Sequence, residues 1–269
     1  MLGAIIGDII GSPYEFKPHK SVEFPLISNN SYFTDDTVIT CALAQALMNV
    51  MPKRGSIPSV KVFQAEAVKC MRTFGLKYPN AGYGIRFMDW IDSENPKPYN
   101  SFGNGSAMRV APVAWAFDCI DDVERFAEAS ATVSHDNPEG IRGAKATAAA
   151  IFLARSGKEQ NEIKEYVSQK YYYDLTRSLD DIRPYYDFNE TCQGSVPEAI
   201  TAYLEASDFE EAVRNAVSLG GDADTQADIA GAIAEGSWGI PRILSEVCLQ
   251  LLDPFLLNIV KKWHKWLNS

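Results

Sequence analysis

The chain has 269 residues and a mass of 29.7 kDa, which is enough to bury a substantial core without disulfides or a structural metal. Its net charge of −10 and pI near 4.9 do not provide the basic field that draws proteins onto phosphate backbones, so long nucleic acids are not expected partners. No stretch approaches the roughly 20 apolar residues of a membrane helix, and the five cysteines form no C-x-x-C pair, so we expect a reduced cytoplasmic protein.

Helical periodicity dominates the chain. The opening MLGAIIGDIIG is apolar, but it carries Asp8 and no basic region precedes it, so it does not fit a signal peptide. Apolar residues recur every three or four positions, and alanine-rich stretches are typical of tightly packed interior helices; these segments are 38–50, 123–131, 143–154, 209–217 and 226–236. The sequence therefore predicts an all-α fold, a single helical bundle spanning residues 1–269.

Three segments rich in Pro, Asn, Ser and Asp interrupt the helices, at 12–34, 92–106 and 180–196. Long loops of a compact domain are more often functional or disordered than neutral. We therefore expect these segments to frame one cleft.

The C-terminal KKWHKWLNS allows two interpretations, because Trp263 and Trp266 can either contact a membrane surface or pack inward. We favour packing and expect no membrane partner.

Two acidic clusters each directly precede a predicted helix. The first is FTDDT, with Thr34, Asp35 and Asp36, and the second is GGDADT, with Asp222, Asp224 and Thr225. One interpretation is capping, since Asp and Thr accept hydrogen bonds from the free N–H groups of a helix start. Each cluster, however, holds more carboxylates than one cap uses. The alternative is that the two helix starts face each other.

Carboxylates brought together in this way would repel one another unless protons or cations neutralise them. The clusters contain only oxygen ligands, and the three histidines form no H-E-x-x-H motif. Oxygen donors favour Mg²⁺ or Mn²⁺, and magnesium keeps water positions that substrate oxygens can take. The clusters thus predict a site for one or two divalent cations.

A glycine-rich turn, FGNGSAMR at 102–109, runs into an apolar helix-like stretch. Its amides can hold an anion at a helix N-terminus, or Gly103 and Gly105 can simply provide positive φ for a tight turn.

His135 lies at a junction between helices, where it either faces a cleft or serves as a hydrogen-bonded structural residue. Ser106, Ser195 and Cys192 lie in no nucleophile motif, so covalent catalysis is not expected.

Taken together, these segments resemble the ADP-ribosylglycohydrolases, which include the dinitrogenase-reductase-activating glycohydrolases and the ADP-ribosyl-acceptor hydrolases. The resemblance runs from end to end, in the order GAIIGDIIGSPYEF, FTDDT, PYNSFGNGSAMRVAP, SHDNPEG, TCQGSVPEAI and SLGGDADTQADIAGAIAEGSWGIP. It implies an all-helical fold with two Mg²⁺ or Mn²⁺ ions in a central cleft. One departure is that relatives often carry a further histidine after His135, where this chain has Asp136 and Asn137.

The resemblance also implies roles for individual residues. Glu15 completes the pattern G-D-x-x-G-x-x-x-E and is expected beside the metals; Glu15 or Asp36 is expected to relay protons. The implied metal ligands are Thr34, Asp35, Asp36, Asp222, Asp224 and Thr225. The implied substrate contacts are Glu15, Asn104, Gly105, Ser106, Met108 and His135.

The resulting hypothesis is a metal-dependent hydrolase that cleaves the glycosidic bond between ADP-ribose and an acceptor. The expected partner is an ADP-ribosylated protein or a small-molecule ADP-ribose conjugate. Two alternatives remain open at this point. One is a hydrolase of another ADP-ribose derivative, and the other is a non-catalytic ADP-ribose-binding or crystallin-like protein. The packed acidic clusters argue against the second, because a scaffold has no use for like charges held together.

Overall fold

A computed structural model describes residues 1–269 and contains fourteen α-helices and three short 3₁₀-helices. No strand forms, and only an isolated antiparallel bridge joins Gly103 to Thr191. The prediction of an all-α fold is therefore confirmed.

The helices follow one another in chain order. The α-helices are α1 Leu2–Gly11, α2 Asp35–Val50, α3 Val60–Lys77, α4 Ile85–Asp92, α5 Ala111–Ala116, α6 Ile120–Ala131, α7 Pro138–Arg155, α8 Gln160–Tyr171, α9 Leu179–Ile182, α10 Cys192–Leu204, α11 Phe209–Val217, α12 Ala223–Trp238, α13 Arg242–Leu249 and α14 Pro254–Leu267. The 3₁₀-helices are Ser12–Tyr14, Asn104–Ser106 and Met108–Val110.

Helix α12 lies at the centre of the bundle, where it packs against α1, α7, α10 and α11. Its sequence is rich in alanine, and twelve consecutive residues from Ala223 to Ala234 are buried. Small side chains allow the neighbouring helices to approach closely, and burial of the apolar surface stabilises the arrangement. The buried apolar side chains of the chain form one continuous cluster of 78 residues.

The closest approach is between α1 and α12. Gly7 and Gly11 each lie against the α12 main chain, and a Cβ at either position would overlap the carbonyl of Ala227 or Ala223. Only glycine permits this distance. The contact brings the end of α1, and the short helix that follows it, beside the first turn of α12.

Both helices preceded by acidic clusters start three residues earlier than predicted. Helix α2 begins at Asp35 instead of residue 38, because the Oγ1 of Thr34 accepts the Asp36 amide at 3.3 Å and caps the helix. Helix α12 begins at Ala223 instead of residue 226, with Asp222 at the cap position. The aspartates therefore belong to helix starts and do not lie in irregular backbone outside them.

The predicted irregular segment 180–196 is only partly irregular. Helix α9 reaches Ile182, and α10 begins at Cys192, where Thr191 Oγ1 caps it by accepting the Gly194 amide at 3.1 Å. The prediction is therefore wrong for residues 192–196, which form the first turn of α10.

The C-terminal helix packs onto the bundle. Trp263 is 3% exposed, and its ring stacks on Trp266 with a centroid distance of 5.0 Å. Helix α14 contacts α2. The two tryptophans are thus occupied by packing. None of the helices combines the length and apolarity that crossing a membrane requires.

Candidate active site

A cleft of about 510 Å³ opens where the starts of α2 and α12 meet. The two acidic clusters form its floor, the glycine-rich turn forms one wall, and residues 82–87 form another. Of the site residues predicted from the sequence, only Thr34 and Ser106 are not among its lining residues. Those that line it are Glu15, Asp35, Asp36, Asn104, Gly105, Met108, His135, Asp222, Asp224 and Thr225.

Three carboxylates form the tightest group on the cleft floor. One oxygen each from Glu15, Asp222 and Asp224 lie within 4.8 Å of one another. Asp222 and Asp224 come from the start of α12, and Glu15 directly follows the short helix after α1. The close packing of α1 on α12 therefore brings Glu15 to the two aspartates.

The carboxyl groups on the cleft floor have raised pKa values. Burial, followed by repulsion from Asp224 and Asp8, raises the pKa of Glu15 to about 8. Burial raises the pKa of Asp222 to about 6, and the hydrogen bond from Asn104 opposes the rise. Burial and neighbouring carboxylates raise the pKa of Asp224 well above its ordinary value. The group accumulates negative charge only at a high energetic cost, which a bound cation would offset.

Asp36 and Asp35 extend this charge toward α2. Burial, then repulsion from Asp224, raises the pKa of both carboxyls. Asp36 is 2% exposed, and its Oδ1 has no hydrogen-bond partner. A buried carboxylate oxygen without a donor is unfavourable in the protein alone. An all-oxygen ligand set that includes such an atom fits a hard divalent cation.

Asp8 anchors the start of α2 from behind the cleft. It accepts hydrogen bonds from Thr34 N at 2.9 Å, from Thr34 Oγ1 at 2.8 Å, from Thr37 N at 3.1 Å and from Thr37 Oγ1. Burial raises its pKa to about 6, although these bonds lower it. The sequence signal was present in the G-D-x-x-G pattern of α1, but Asp8 was not assigned to the site.

The glycine-rich turn holds the acidic cluster in place. The Nδ2 of Asn104 donates to Asp222 Oδ2 at 2.6 Å and to Ser195 Oγ at 3.1 Å. The positive-φ interpretation of the turn is wrong: Gly103 has φ −64°, and Gly105 is not among the glycines with positive φ. Space explains the glycines better, because a Cβ at Gly105 would lie 3.2 Å from Nε2 of His135.

Two predicted residues do not line the cleft, and their hydroxyl groups form hydrogen bonds within the protein. The Thr34 hydroxyl donates to Asp8 while it caps α2. The Ser106 hydroxyl donates to the Gly140 carbonyl at 2.7 Å. Burial raises the pKa of the neighbouring Cys192 thiol to about 12, and Ser195 Oγ donates to the Thr191 carbonyl, so neither side chain is set up as a nucleophile.

Sequence reasoning missed several residues of the opposite wall. Tyr83, Arg86 and Phe87 come from the start of α4 and the turn before it, Tyr99 precedes the glycine-rich turn, and Arg109 is the last residue of that turn. Their sequence context is that of ordinary amphipathic helices and loops, so only tertiary packing identifies them. Arg86 and Arg109 place positive charge at the glycine-rich turn, for which we predicted anion binding by main-chain amides alone.

His135 lines the same wall and is 5% exposed. Burial, then the charges of Arg109 and Arg86, lowers its pKa well below the ordinary value. Its ring is therefore neutral. The imidazole lies between the rings of Tyr99 and Phe87, with centroid distances of 5.7 and 6.3 Å.

The chain matches the ADP-ribosylglycohydrolase family over residues 1–267. It is 27% identical to the ADP-ribosylhydrolase ARH3 of Homo sapiens in an alignment of 323 positions that covers 90% of this chain and 85% of the human protein. ARH3 of Mus musculus is also 27% identical, with 90% and 84% covered. A solved structure, an ADP-ribosylglycohydrolase-related protein complex, shares the fold with a TM-score of 0.70 at 20% identity, covering 98% of this chain and 96% of that one.

Proposed function

The chain belongs to the ADP-ribosylglycohydrolase family, and on this premise we propose that it is a metal-dependent hydrolase that cleaves the glycosidic bond between ADP-ribose and an acceptor. The observation that carries the proposal is the convergence of Glu15, Asp36, Asp222 and Asp224 on one cleft beside the glycine-rich turn. The acceptor is an ADP-ribosylated protein side chain or a small molecule. The five thiols form no disulfide, which fits a reducing compartment, and we place the activity in the cytoplasm.

The proposed ligands of two Mg²⁺ or Mn²⁺ ions are Thr34, Asp35, Asp36, Asp222, Asp224 and Thr225, with Glu15 beside them. When bound, such ions neutralise the carboxylates and polarise substrate oxygens as Lewis acids. Thr34 stays in the set because its hydroxyl, after donating to Asp8 and accepting from the Asp36 amide, keeps one lone pair.

The protein residues divide the remaining work. The ADP-ribose is oriented by the neutral His135 and by the glycine-rich turn, through Asn104, Gly105 and Met108. Ser106 contacts the ADP-ribose through its main chain, because its hydroxyl donates to the Gly140 carbonyl. Glu15 and Asp36 carry the proton transfers. Glu15 suits this role because its carboxyl lies within 4.8 Å of those of Asp222 and Asp224, where a bound cation would leave it unprotonated and able to accept a proton. The carboxylates provide an electrostatic environment that favours an oxocarbenium-like transition state.

The test is turnover of ADP-ribosylated arginine, serine and nucleotide substrates with Mg²⁺, with Mn²⁺ and with chelator. Asp36→Ala and Asp224→Ala are expected to abolish turnover and divalent-ion binding while helical content is kept. Asp121→Ala is the matched control, because Asp121 lies in the first turn of α6 and does not line the cleft. Full activity in either site variant would contradict the metal assignment. Release of ADP-ribose identifies the cleaved bond, whereas binding without turnover would indicate a non-catalytic ADP-ribose-binding protein.

A further inference from the structure

The two ring nitrogens of His135 have different surroundings. Nδ1 lies 2.8 Å from the Oγ of Ser134. Nε2 faces the glycine-rich turn, where a Cβ at Gly105 would be 3.2 Å away and a Cβ at Gly103 would be 3.6 Å away. Nε2 makes no hydrogen bond to the protein. One nitrogen is therefore held by the protein, and the other faces the cleft.

Arg109 determines which group donates in the hydrogen bond between Ser134 Oγ and His135 Nδ1. The Nη2 of Arg109 donates to Ser134 Oγ at 2.9 Å and to the Ser130 carbonyl at 2.8 Å. A guanidinium has donors only, so Ser134 Oγ must accept this bond. The Ser134 hydroxyl still has its own proton, and Nδ1 of His135 is the only further polar atom with which it forms a hydrogen bond.

We propose that Arg109 and Ser134 are positioning residues that fix His135 as the tautomer with its proton on Nε2, so that the ring presents a hydrogen-bond donor to the cleft. In the opposite tautomer, Nδ1–H would point at Ser134 Oγ, and the Ser134 hydroxyl proton would have no acceptor. Ser134 and Arg109 are both 0% exposed, so water does not replace the lost bond.

The charge state of the relay supports this assignment. Burial lowers the pKa of Arg109 to about 10, so the guanidinium remains charged at neutral pH. Burial keeps the ring of His135 neutral by lowering its pKa, and the positive charges of Arg109 and Arg86 add to this effect. His135 is then a fixed donor and not a group that exchanges protons with the substrate. Its partner is an oxygen lone pair on the bound molecule; the identification of that molecule as ADP-ribose rests on the proposed function.

The tautomer can be measured in the full chain without metal or ligand. Nitrogen-15 correlation spectra of the imidazole rings distinguish a protonated nitrogen from an unprotonated one, and His135→Gln identifies the signals among the three histidines. We expect Nε2 to be protonated and Nδ1 to be unprotonated and hydrogen-bonded. A protonated Nδ1 in the unaltered protein would overturn the proposal, whatever the activity.

Two serine variants separate the relay from general packing. Ser134→Ala removes the hydroxyl between Arg109 and Nδ1, so the Nδ1 signal should shift away from its hydrogen-bonded position. Ser130→Ala is the matched control, because the Ser130 hydroxyl bonds only to the Ala127 carbonyl while its own carbonyl still accepts from Arg109. This variant should keep the original spectrum. An unchanged Nδ1 signal in folded Ser134→Ala would overturn the role of Ser134.

Titration with ADP-ribose tests the use of the donor. Ser134→Ala should bind it about threefold to tenfold more weakly than Ser130→Ala, as expected for one misdirected hydrogen bond. Equal affinity, together with a shifted Nδ1 signal, would overturn the use of the donor. If the unaltered protein does not bind ADP-ribose but shows a protonated Nε2, the relay is supported and the proposed function fails.

Discussion

Gly7 of α1 lies against Ala227 of α12 so closely that a Cβ at position 7 would overlap the Ala227 carbonyl group. This contact is remote from solvent, yet it determines the geometry of the cleft. Asp8, the next residue, binds the start of α2, and Glu15 reaches the aspartates at the start of α12. The close packing at Gly7 therefore holds α1 where Asp8 can bind the start of α2 and Glu15 can lie beside the carboxylates at the start of α12.

Replacement of Gly7 by alanine should destabilise the protein and weaken divalent-ion binding together. The added methyl group meets main-chain atoms, which cannot rotate away as a side chain can, so α1 must move from α12. We expect the free energy of unfolding to fall by about 1–3 kcal/mol or more, measured by urea denaturation. Gly84→Ala is the control, because Gly84 has φ −58° and no atom lies within 4 Å of its Cβ position. It should cost at most about 1 kcal/mol.

Replacement of Asp8 by asparagine should also damage the cleft, although Asp8 is not itself a proposed metal ligand. An amide offers one acceptor oxygen, and its NH₂ group would face the Thr37 amide, which is itself a donor. One hydrogen bond to the start of α2 is lost and a donor is left unpaired, at a cost of about 1–3 kcal/mol. Isothermal titration should show weaker Mg²⁺ and Mn²⁺ binding than in Asp121→Asn, a helix-start variant outside the cleft. Unchanged metal affinity would contradict the anchoring role of Asp8.

The acidic floor of the cleft was predictable from the sequence because its determinants are local. FTDDT and GGDADT each combine a helix start with more carboxylates than a cap needs. This excess of carboxylates led to the hypothesis that the two helix starts face each other, and the structure places Asp36 and Asp224 on one cleft. What remained hidden depends on packing. Arg109 stands in an apolar stretch and gives no local sign that it is buried, and the role of Gly7 requires the position of a helix more than 200 residues away.

Asp228 is a buried carboxyl group that was not assigned to the site from the sequence. It lies one turn beyond Asp224 in α12, is 1% exposed, and neither carboxylate oxygen has a hydrogen-bond partner. Burial, followed by repulsion from Asp8, raises its pKa well above the ordinary value. The folded protein thus binds a proton that the unfolded chain releases, and this difference lowers stability as the pH rises above about 3.9, the value for an unfolded aspartate.

Asp228→Asn should therefore stabilise the protein at neutral pH, because the amide is close in shape to the protonated acid and needs no proton. The gain at pH 7 is at most about 4 kcal/mol, the cost of protonating an ordinary aspartate there, and it should disappear as the pH falls below about 4. Thermal unfolding in chelator at several pH values measures it. Asp180→Asn, at a side chain that is 93% exposed, should change stability by no more than about 0.5 kcal/mol. A destabilised Asp228→Asn at pH 7 would show that the buried carboxyl has a partner.

Divalent-ion binding should weaken as the pH falls, because cations and protons compete for the same oxygens. Glu15 has a pKa of about 8 and Asp222 of about 6, so at pH 7 Glu15 is mostly protonated and must release its proton when a nearby cation binds. Affinity for Mg²⁺ or Mn²⁺ should increase from about pH 5 to about pH 8.5, and the binding enthalpy at pH 7 should depend on the ionisation enthalpy of the buffer. In Glu15→Gln this dependence should become weaker, because one proton fewer is released, and the pKa of Asp222 should fall because Glu15 no longer repels it; the part due to the aspartates should persist. A pH-independent affinity in the unaltered protein would show that the cation binds away from these carboxylates.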